Sequence, residues 1–174
     1  CYNLAHEIGI EIKWETFDIL KSLLFDAERQ GLERIFSEKE LYLHFYTLDT
    51  RGCVRNSLML FGENPDKYKL LEPLSKATRL YYNLRDFFDD ISKGFINISS
   101  EDFKKYDLTL DNIKLLRPYK NLEQWFKDQA LKGLELLSSH QSIISQFRPF
   151  KSLTNIVLNG YKDKDSSYFK SILK

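Results

Sequence analysis

The chain has 174 residues, 43% of them apolar and 29% charged, a composition typical of one folded domain and not of a disordered or fibrous protein. Its 26 Lys and Arg residues balance 25 Asp and Glu residues, which leaves no net positive charge to attract nucleic acid, so no nucleic-acid partner is expected. Two cysteines and three scattered histidines disfavour a disulfide framework or a zinc site. No apolar run approaches the roughly 20 residues that span a bilayer. A cytoplasmic protein is therefore expected.

Helix signals organise the first third of the chain. Apolar residues at three- and four-residue intervals predict a helix over residues 9–30, with Gly31 as its end. The predicted apolar face of this helix consists of Trp14, Phe17, Leu20, Leu24 and Ala27. Ser37 is followed three residues later by Glu40, a capping box that predicts a second helix running to Phe61.

Helices are also predicted through the rest of the chain. Pro73 fits only the first turn of a helix, so a third helix is predicted from Pro73 to Lys93, with Gly94 as its stop. The remaining predicted helices cover residues 101–106, 110–115 and 121–146 and two shorter segments after Pro149 and Ser166. Because no run alternates between apolar and polar residues, the sequence predicts an all-α protein, one helical bundle over residues 1–174.

The third helix carries an acidic stripe. At about 100° per residue, one face of it collects polar and charged side chains. These are Arg79, Tyr82, Asp86, Asp89, Asp90 and Lys93. Like charges at this spacing destabilise an isolated helix by roughly 0.2–0.5 kcal/mol per pair unless a cation lies between them. Such carboxylates suit Mg²⁺, with Arg79 and Lys93 placed to hold a phosphate that bridges to it. The alternative is the solvated face of an amphipathic helix.

A resemblance to a known family starts from this stripe. The run Leu84-Arg85-Asp86-Phe87-Phe88-Asp89-Asp90, with Lys93-Gly94 after it, resembles the second aspartate-rich motif of the squalene/phytoene synthase family. Upstream, the segment Glu40 to Tyr46 resembles the family's Tyr-rich segment. The resemblance implies the all-helical isoprenoid synthase fold, incomplete at its N-terminus.

The same resemblance implies roles for individual residues. Asp86 and Asp90 would be catalytic metal ligands for Mg²⁺, with Asp89 at the accompanying acidic position. Arg79 and Lys93 would hold the substrate diphosphate. Tyr46 would lie near the reacting carbons, although packing in the core is the commoner role of a Tyr in an apolar run.

The chain departs from the family pattern at several positions. The family's Asn one turn before the first Asp is Tyr82 here, and its Gln one turn earlier is Arg79. Where the family has small residues after Tyr46, this chain has Leu48, Asp49 and Thr50. No first aspartate-rich motif is found, so that motif either lies upstream of Cys1 or is missing.

Three functions remain open from the sequence. The first is a Mg²⁺-dependent prenyltransferase of isoprenoid biosynthesis that joins two prenyl diphosphates head to head. The second is a non-catalytic relative that acts as a lipid-binding or assembly protein, and the third is a helical protein with a solvated acidic face. Peripheral membrane contact is also expected, through the Lys-rich tail of Lys162, Lys164, Lys170 and Lys174. The oligomeric state stays open.

Overall fold

The computed structural model describes residues 7, 9 and 13–174, and within them every regular element is a helix and no strand occurs. This confirms the predicted all-α class. The α-helices are α1 (Lys13–Arg29), α2 (Glu38–Phe45), α3 (Arg55–Leu60), α4 (Glu72–Arg85), α5 (Phe87–Ser92), α6 (Ser100–Lys105), α7 (Leu110–Lys114), α8 (Lys120–Phe147) and α9 (Ser152–Ile172). A π-helix (Tyr46–Val54) joins α2 to α3, and a 3₁₀-helix (Pro65–Leu71) leads into α4. Cys1 and residues 10–12, where the first helix was predicted to begin, lie outside the described residues.

The helix starts follow the capping residues in the sequence. The backbone N–H of Glu40 donates to Ser37 Oγ at 3.3 Å, and the Ser37 backbone N–H donates to Glu40 Oε2 at 2.8 Å. Both halves of the predicted capping box are therefore present at the start of α2. Ser99 caps α6 in the same way by accepting from the backbone N–H of Asp102 at 3.1 Å.

The main core lies between α4, α8 and α9. Helix α4 packs most extensively on α8, and α9 packs against both. Ala77 of α4, Ala130 of α8 and Phe169 of α9 are completely buried. A Cβ atom on Gly133 of α8 would collide with the ring of Phe169, so α8 and α9 approach as closely as a glycine allows.

Four predicted helices differ from the observed ones. The predicted helix ending at Phe61 has π-helical turns over its middle residues 46–54. The predicted helix from Pro73 to Lys93 is interrupted at Asp86, whose φ of −95° and ψ of 8° lie outside the helical region. The two predicted C-terminal helices form one, α9, which runs through Ser166 without interruption.

Helix α1 has its two faces reversed relative to an ordinary surface helix. Its polar residues Glu15, Ser22 and Arg29 are buried, whereas Phe17, Leu20 and other members of the predicted apolar face are exposed. The periodicity predicted the stripe correctly, but the expectation that such a stripe faces the core is wrong here.

In the part of the chain that the structure describes, no helix combines the length and the apolarity that crossing a bilayer requires.

Candidate functional site

A cavity of about 510 Å³ opens between α2, the π-helix, α4 and α8. Its wall is mostly apolar. The large apolar side chains that line it are Leu41, Phe45, Leu80, Leu84, Trp125 and Leu136. A cavity of this size whose wall area is mostly apolar is typical of a small-molecule site.

The π-helix supplies the polar part of one wall. Tyr46, Asp49 and Thr50 line the cavity, and Thr50 Oγ1 donates to Ser75 Oγ on α4 at 2.9 Å. The π-helix is held against α1 by close contact, because a Cβ atom on Gly52 would lie 2.6 Å from Ile19 Cγ1. Since π-helical turns are rare and often occur at functional sites, this segment marks the cavity as the candidate site.

Tyr46, the residue predicted to lie near reacting carbons, is part of this wall. Its ring lies 5.6 Å from that of Tyr42. Burial, together with a hydrogen bond to Tyr68, raises the pKa of Tyr46 to about 12. The phenol is therefore neutral at physiological pH and is a hydrogen-bonding group on the cavity wall.

Arg79, predicted to hold a diphosphate, also lines the cavity but already has a partner. It donates from Nε to Asp49 Oδ2 at 2.7 Å and from Nη2 to Asp49 Oδ1 at 2.6 Å. Its guanidinium lies 4.5 Å from the centre of the Phe45 ring. Burial opposes the charged form, but the hydrogen bonds and the charge of Asp49 outweigh it and raise the pKa of Arg79. The cation is thus held and neutralised by a bidentate pair.

Asp86 and Asp89 are neutralised outside the cavity lining. Asp86 accepts from Arg85 Nε at 2.7 Å and from Arg85 Nη2 at 2.6 Å. These hydrogen bonds lower the pKa of Asp86. Asp89 is paired with Lys93 one turn later. Each of these two carboxylates thus has a cation of this chain as its partner.

Asp90 belongs to a different, partly buried network. It accepts from Asn97 Nδ2 at 3.0 Å, and Asn97 Oδ1 accepts from Arg29 Nη2 at 2.9 Å. Burial and then the charge of Asp86 raise the pKa of Asp90. Asn97 also lines the cavity, so its amide connects Asp90 to the cavity wall.

Arg29 anchors that network from α1. Its Nε donates to Asp26 Oδ1 at 2.7 Å, and His44 Nε2 lies 3.0 Å from the same oxygen. Burial favours the protonated form of Asp26, but the contacts with His44 and Arg29 prevail and lower its pKa. No local pattern in the sequence marks this arrangement, because Arg29 and Asn97 are 68 residues apart along the chain.

The predicted site residues thus fall into two groups. Tyr46 and Arg79 lie on the cavity wall, whereas Asp86, Asp89, Asp90 and Lys93 lie outside its lining. Within residues 7, 9 and 13–174, no three acidic, His or Cys side chains converge on one point where a metal ion would bind. Asp86 and Asp89 are each paired with a cation of this chain, and the Mg²⁺ site implied by the resemblance stays a prediction.

Comparison of the chain with family models, with curated proteins and with solved structures found no match. The resemblance to squalene/phytoene synthases therefore stays a prediction from the motif between Leu84 and Gly94.

Proposed function

We propose that this chain is a non-catalytic lipid-binding protein whose cavity holds a long apolar chain, such as that of a prenol, without Mg²⁺. The observation that carries this proposal is the pairing of most of the Lys and Arg side chains at the cavity. Three of the four Lys and Arg residues on its wall are paired with carboxylates of this chain. These pairs are Arg79 with Asp49, Lys76 with Glu72 at 2.7 Å and Lys132 with Glu38 at 3.5 Å. The fourth is Lys39, an exposed residue.

The chemistry of the wall fits an apolar chain with a small neutral head. Apolar walls gain free energy in proportion to the apolar area that a ligand removes from water, about 25 cal/mol per Å². Tyr46 and Asn97 offer neutral hydrogen-bonding groups to a hydroxyl. A diphosphate that approached Arg79 would have to break the pair between Arg79 and Asp49, and that requirement favours the uncharged head at this part of the wall.

A matched pair of substitutions on α8 tests whether the cavity is the binding site. Leu136 lines the cavity, whereas Leu131 on the same helix is exposed and lies outside it. Leu136→Trp fills part of the volume and is expected to weaken binding of a long-chain prenol roughly tenfold, the effect of about 1.4 kcal/mol. Isothermal titration calorimetry with the full chain measures this affinity. Leu131→Trp is the control and leaves it unchanged; equal affinities in the two variants would place the ligand elsewhere.

One observation favours a second candidate, the Mg²⁺-dependent head-to-head prenyltransferase. Asp86 and Asp90 remain neighbours across the break between α4 and α5, since the Asp90 backbone N–H donates to the Asp86 carbonyl at 2.8 Å. The charge of Asp86 contributes to the raised pKa of Asp90. A pair of adjacent carboxylates therefore persists, although Arg85 occupies one of them.

Mg²⁺ separates the two candidates. For the lipid-binding protein, we expect a prenol to bind as tightly as its diphosphate and millimolar Mg²⁺ to change neither affinity. Asp86→Asn and Asp90→Asn are expected to leave prenol binding within about twofold of wild type, because neither residue lines the cavity. Mg²⁺-dependent release of diphosphate that both substitutions abolish, in a chain that stays helical by circular dichroism, would establish the transferase instead.

A further inference from the structure

The exposed face of α1 is a continuous apolar stripe on the outside of the molecule. Phe17 is 58% exposed, Leu20 58% and Leu24 59%, and Leu32 just beyond the helix is 67% exposed. Exposed apolar residues are ordinary when scattered, but a contiguous stripe along one helix is typical of an interaction surface.

The opposite face of α1 explains why the stripe cannot turn inward. Glu15 pairs with Arg55 at 3.2 Å, and Asp18 pairs with Arg51 at 2.9 Å. Both arginines come from the π-helix and the start of α3, which α1 packs against. Rotating α1 to bury the stripe would break these pairs, so they hold the helix in its reversed orientation.

Two charged residues lie along one edge of the stripe. Lys21 and Glu28 are two helical turns apart and project on the same side of the line through Phe17 and Leu24. Both are exposed, and neither has an ion-pair partner among residues 13–174. Among the α1 residues whose side chains the structure describes, this edge of the stripe has one positive and one negative charge, with Leu24 close to the midpoint between them.

We propose that this stripe binds the same stripe of a second copy of the chain, with the two α1 helices antiparallel about a two-fold axis. Such an axis places each edge of the stripe against the same edge of the partner, so Lys21 faces the partner subunit's Glu28 and Glu28 faces the partner subunit's Lys21. Leu24 then lies near the axis against its own copy, and Phe17 lies at the level of the partner subunit's Leu32. In this arrangement each unpaired charge faces an opposite charge of the partner, and the apolar stripe packs against an apolar stripe.

The charges favour a second copy over a lipid surface. A helix that lies on an anionic membrane has Lys and Arg beside its apolar face, whereas the charges of Lys21 and Glu28 cancel. The self-complementary order of these two charges is what a two-fold interface requires. This inference concerns the outer face of α1 and is independent of the ligand proposed for the cavity.

Sedimentation velocity of the full chain over a micromolar concentration series tests the proposal. Wild type is expected to show a reversible monomer–dimer equilibrium, and Leu24→Glu to weaken dimerisation at least tenfold because it places two carboxylates at the axis. Leu131→Glu on α8 is the matched control, an exposed leucine away from the stripe, and should dimerise as wild type does. Leu24 is exposed, so circular dichroism should show the variant folded.

Charge reversal tests the antiparallel arrangement itself. Lys21→Glu or Glu28→Lys alone places like charges in both symmetry-related contacts and is expected to weaken the dimer roughly tenfold. The double variant restores opposite charges and should return to within about threefold of wild type. A double variant no better than the singles would overturn this arrangement.

Other results would overturn the proposal as a whole. A wild-type chain that stays monomeric at every concentration is one, and a dimer insensitive to Leu24→Glu is another. If wild type is a monomer that sediments with phosphatidylcholine vesicles, and Leu24→Glu abolishes this co-sedimentation, the stripe would be a lipid-binding surface. If wild type is a monomer and Leu24→Glu lowers its melting temperature, the stripe would instead pack against the first twelve residues of the chain.

Discussion

Replacing Glu63 with Ala is expected to destabilise the fold by about 3 kcal/mol, since it removes a buried carboxylate whose partners would then lose their acceptor. The Glu63 side chain is 1% exposed. Its Oε1 accepts from the Lys151 backbone N–H at 2.6 Å and from Thr154 Oγ1 at 3.0 Å, and its Oε2 accepts from Lys67 Nζ at 3.1 Å. Lys151 is the N-cap residue of α9, so Glu63 caps that helix from a distant part of the chain.

The same contacts give this loss a pH dependence. Burial would raise the pKa of Glu63, but the hydrogen bonds from Lys151, Lys67 and Thr154 outweigh it and lower the pKa. A lowered pKa in the folded state means that the stabilisation is present above the unfolded value of about 4.3 and is lost as the pH falls further. We expect the difference between wild type and Glu63→Ala to be full at pH 7 and to shrink below about pH 4.

Urea denaturation at neutral and acidic pH measures this difference. Glu135→Ala is the control, because Glu135 is exposed in the middle of α8 and its loss should change the free energy of unfolding by less than about 0.5 kcal/mol. A Glu63→Ala chain as stable as the control variant, or one whose deficit is the same at both pH values, would contradict the capping role.

Local signals in the sequence predicted the helix starts well. The Ser37 capping box depends on contacts between residues three apart, and such contacts need no tertiary structure. The interruption at Asp86 was not predicted, because periodicity continues across it. In the structure, Asp86 is paired with the adjacent Arg85, and that pairing accompanies the break.

The orientation of α1 shows what periodicity leaves open. The stripe of Phe17, Leu20 and Leu24 is visible in the sequence, but the partners that bury the opposite face are not. Arg51 and Arg55 reach Asp18 and Glu15 only after the π-helix has formed and packed on α1. An amphipathic pattern therefore predicts a helix and its two faces, whereas tertiary contacts decide which face is buried.

The cavity wall was predicted in part. Tyr46 and Arg79 were singled out from the sequence and both line the cavity, but Asn97 was missed because no local pattern marks it. Asp49 and Arg79 were noted as two separate departures from the family pattern. The structure shows that they form one bidentate pair. Their opposite charges, at two positions that both differ from the family pattern, could have indicated this contact from the sequence.

That pair leads to the second large effect. Asp49→Asn is expected to strengthen binding of a prenyl diphosphate about thirtyfold while prenol affinity stays within about twofold. The substitution removes the charge that neutralises Arg79, leaving a guanidinium on the cavity wall free to donate to an anionic head. A hydrogen bond to a charged group contributes about 1.5–3 kcal/mol, and 1.4 kcal/mol is tenfold in affinity.

Titration of both ligands into wild type and Asp49→Asn, without Mg²⁺, measures the change in preference. Arg79 loses its ionised partner in the variant. The melting temperature of the ligand-free variant should therefore fall, and it should recover on addition of the diphosphate. The double variant Asp49→Asn with Arg79→Gln removes the freed cation and should abolish the gain. If the double variant keeps it, or if prenol binding rises by the same factor, the diphosphate is not held by Arg79. If the double variant instead loses the gain, the contact between Arg79 and Asp49 is what separates a wall suited to a neutral head from one suited to an anion. The carboxylate of Asp49 would in that case set the ligand preference of the cavity.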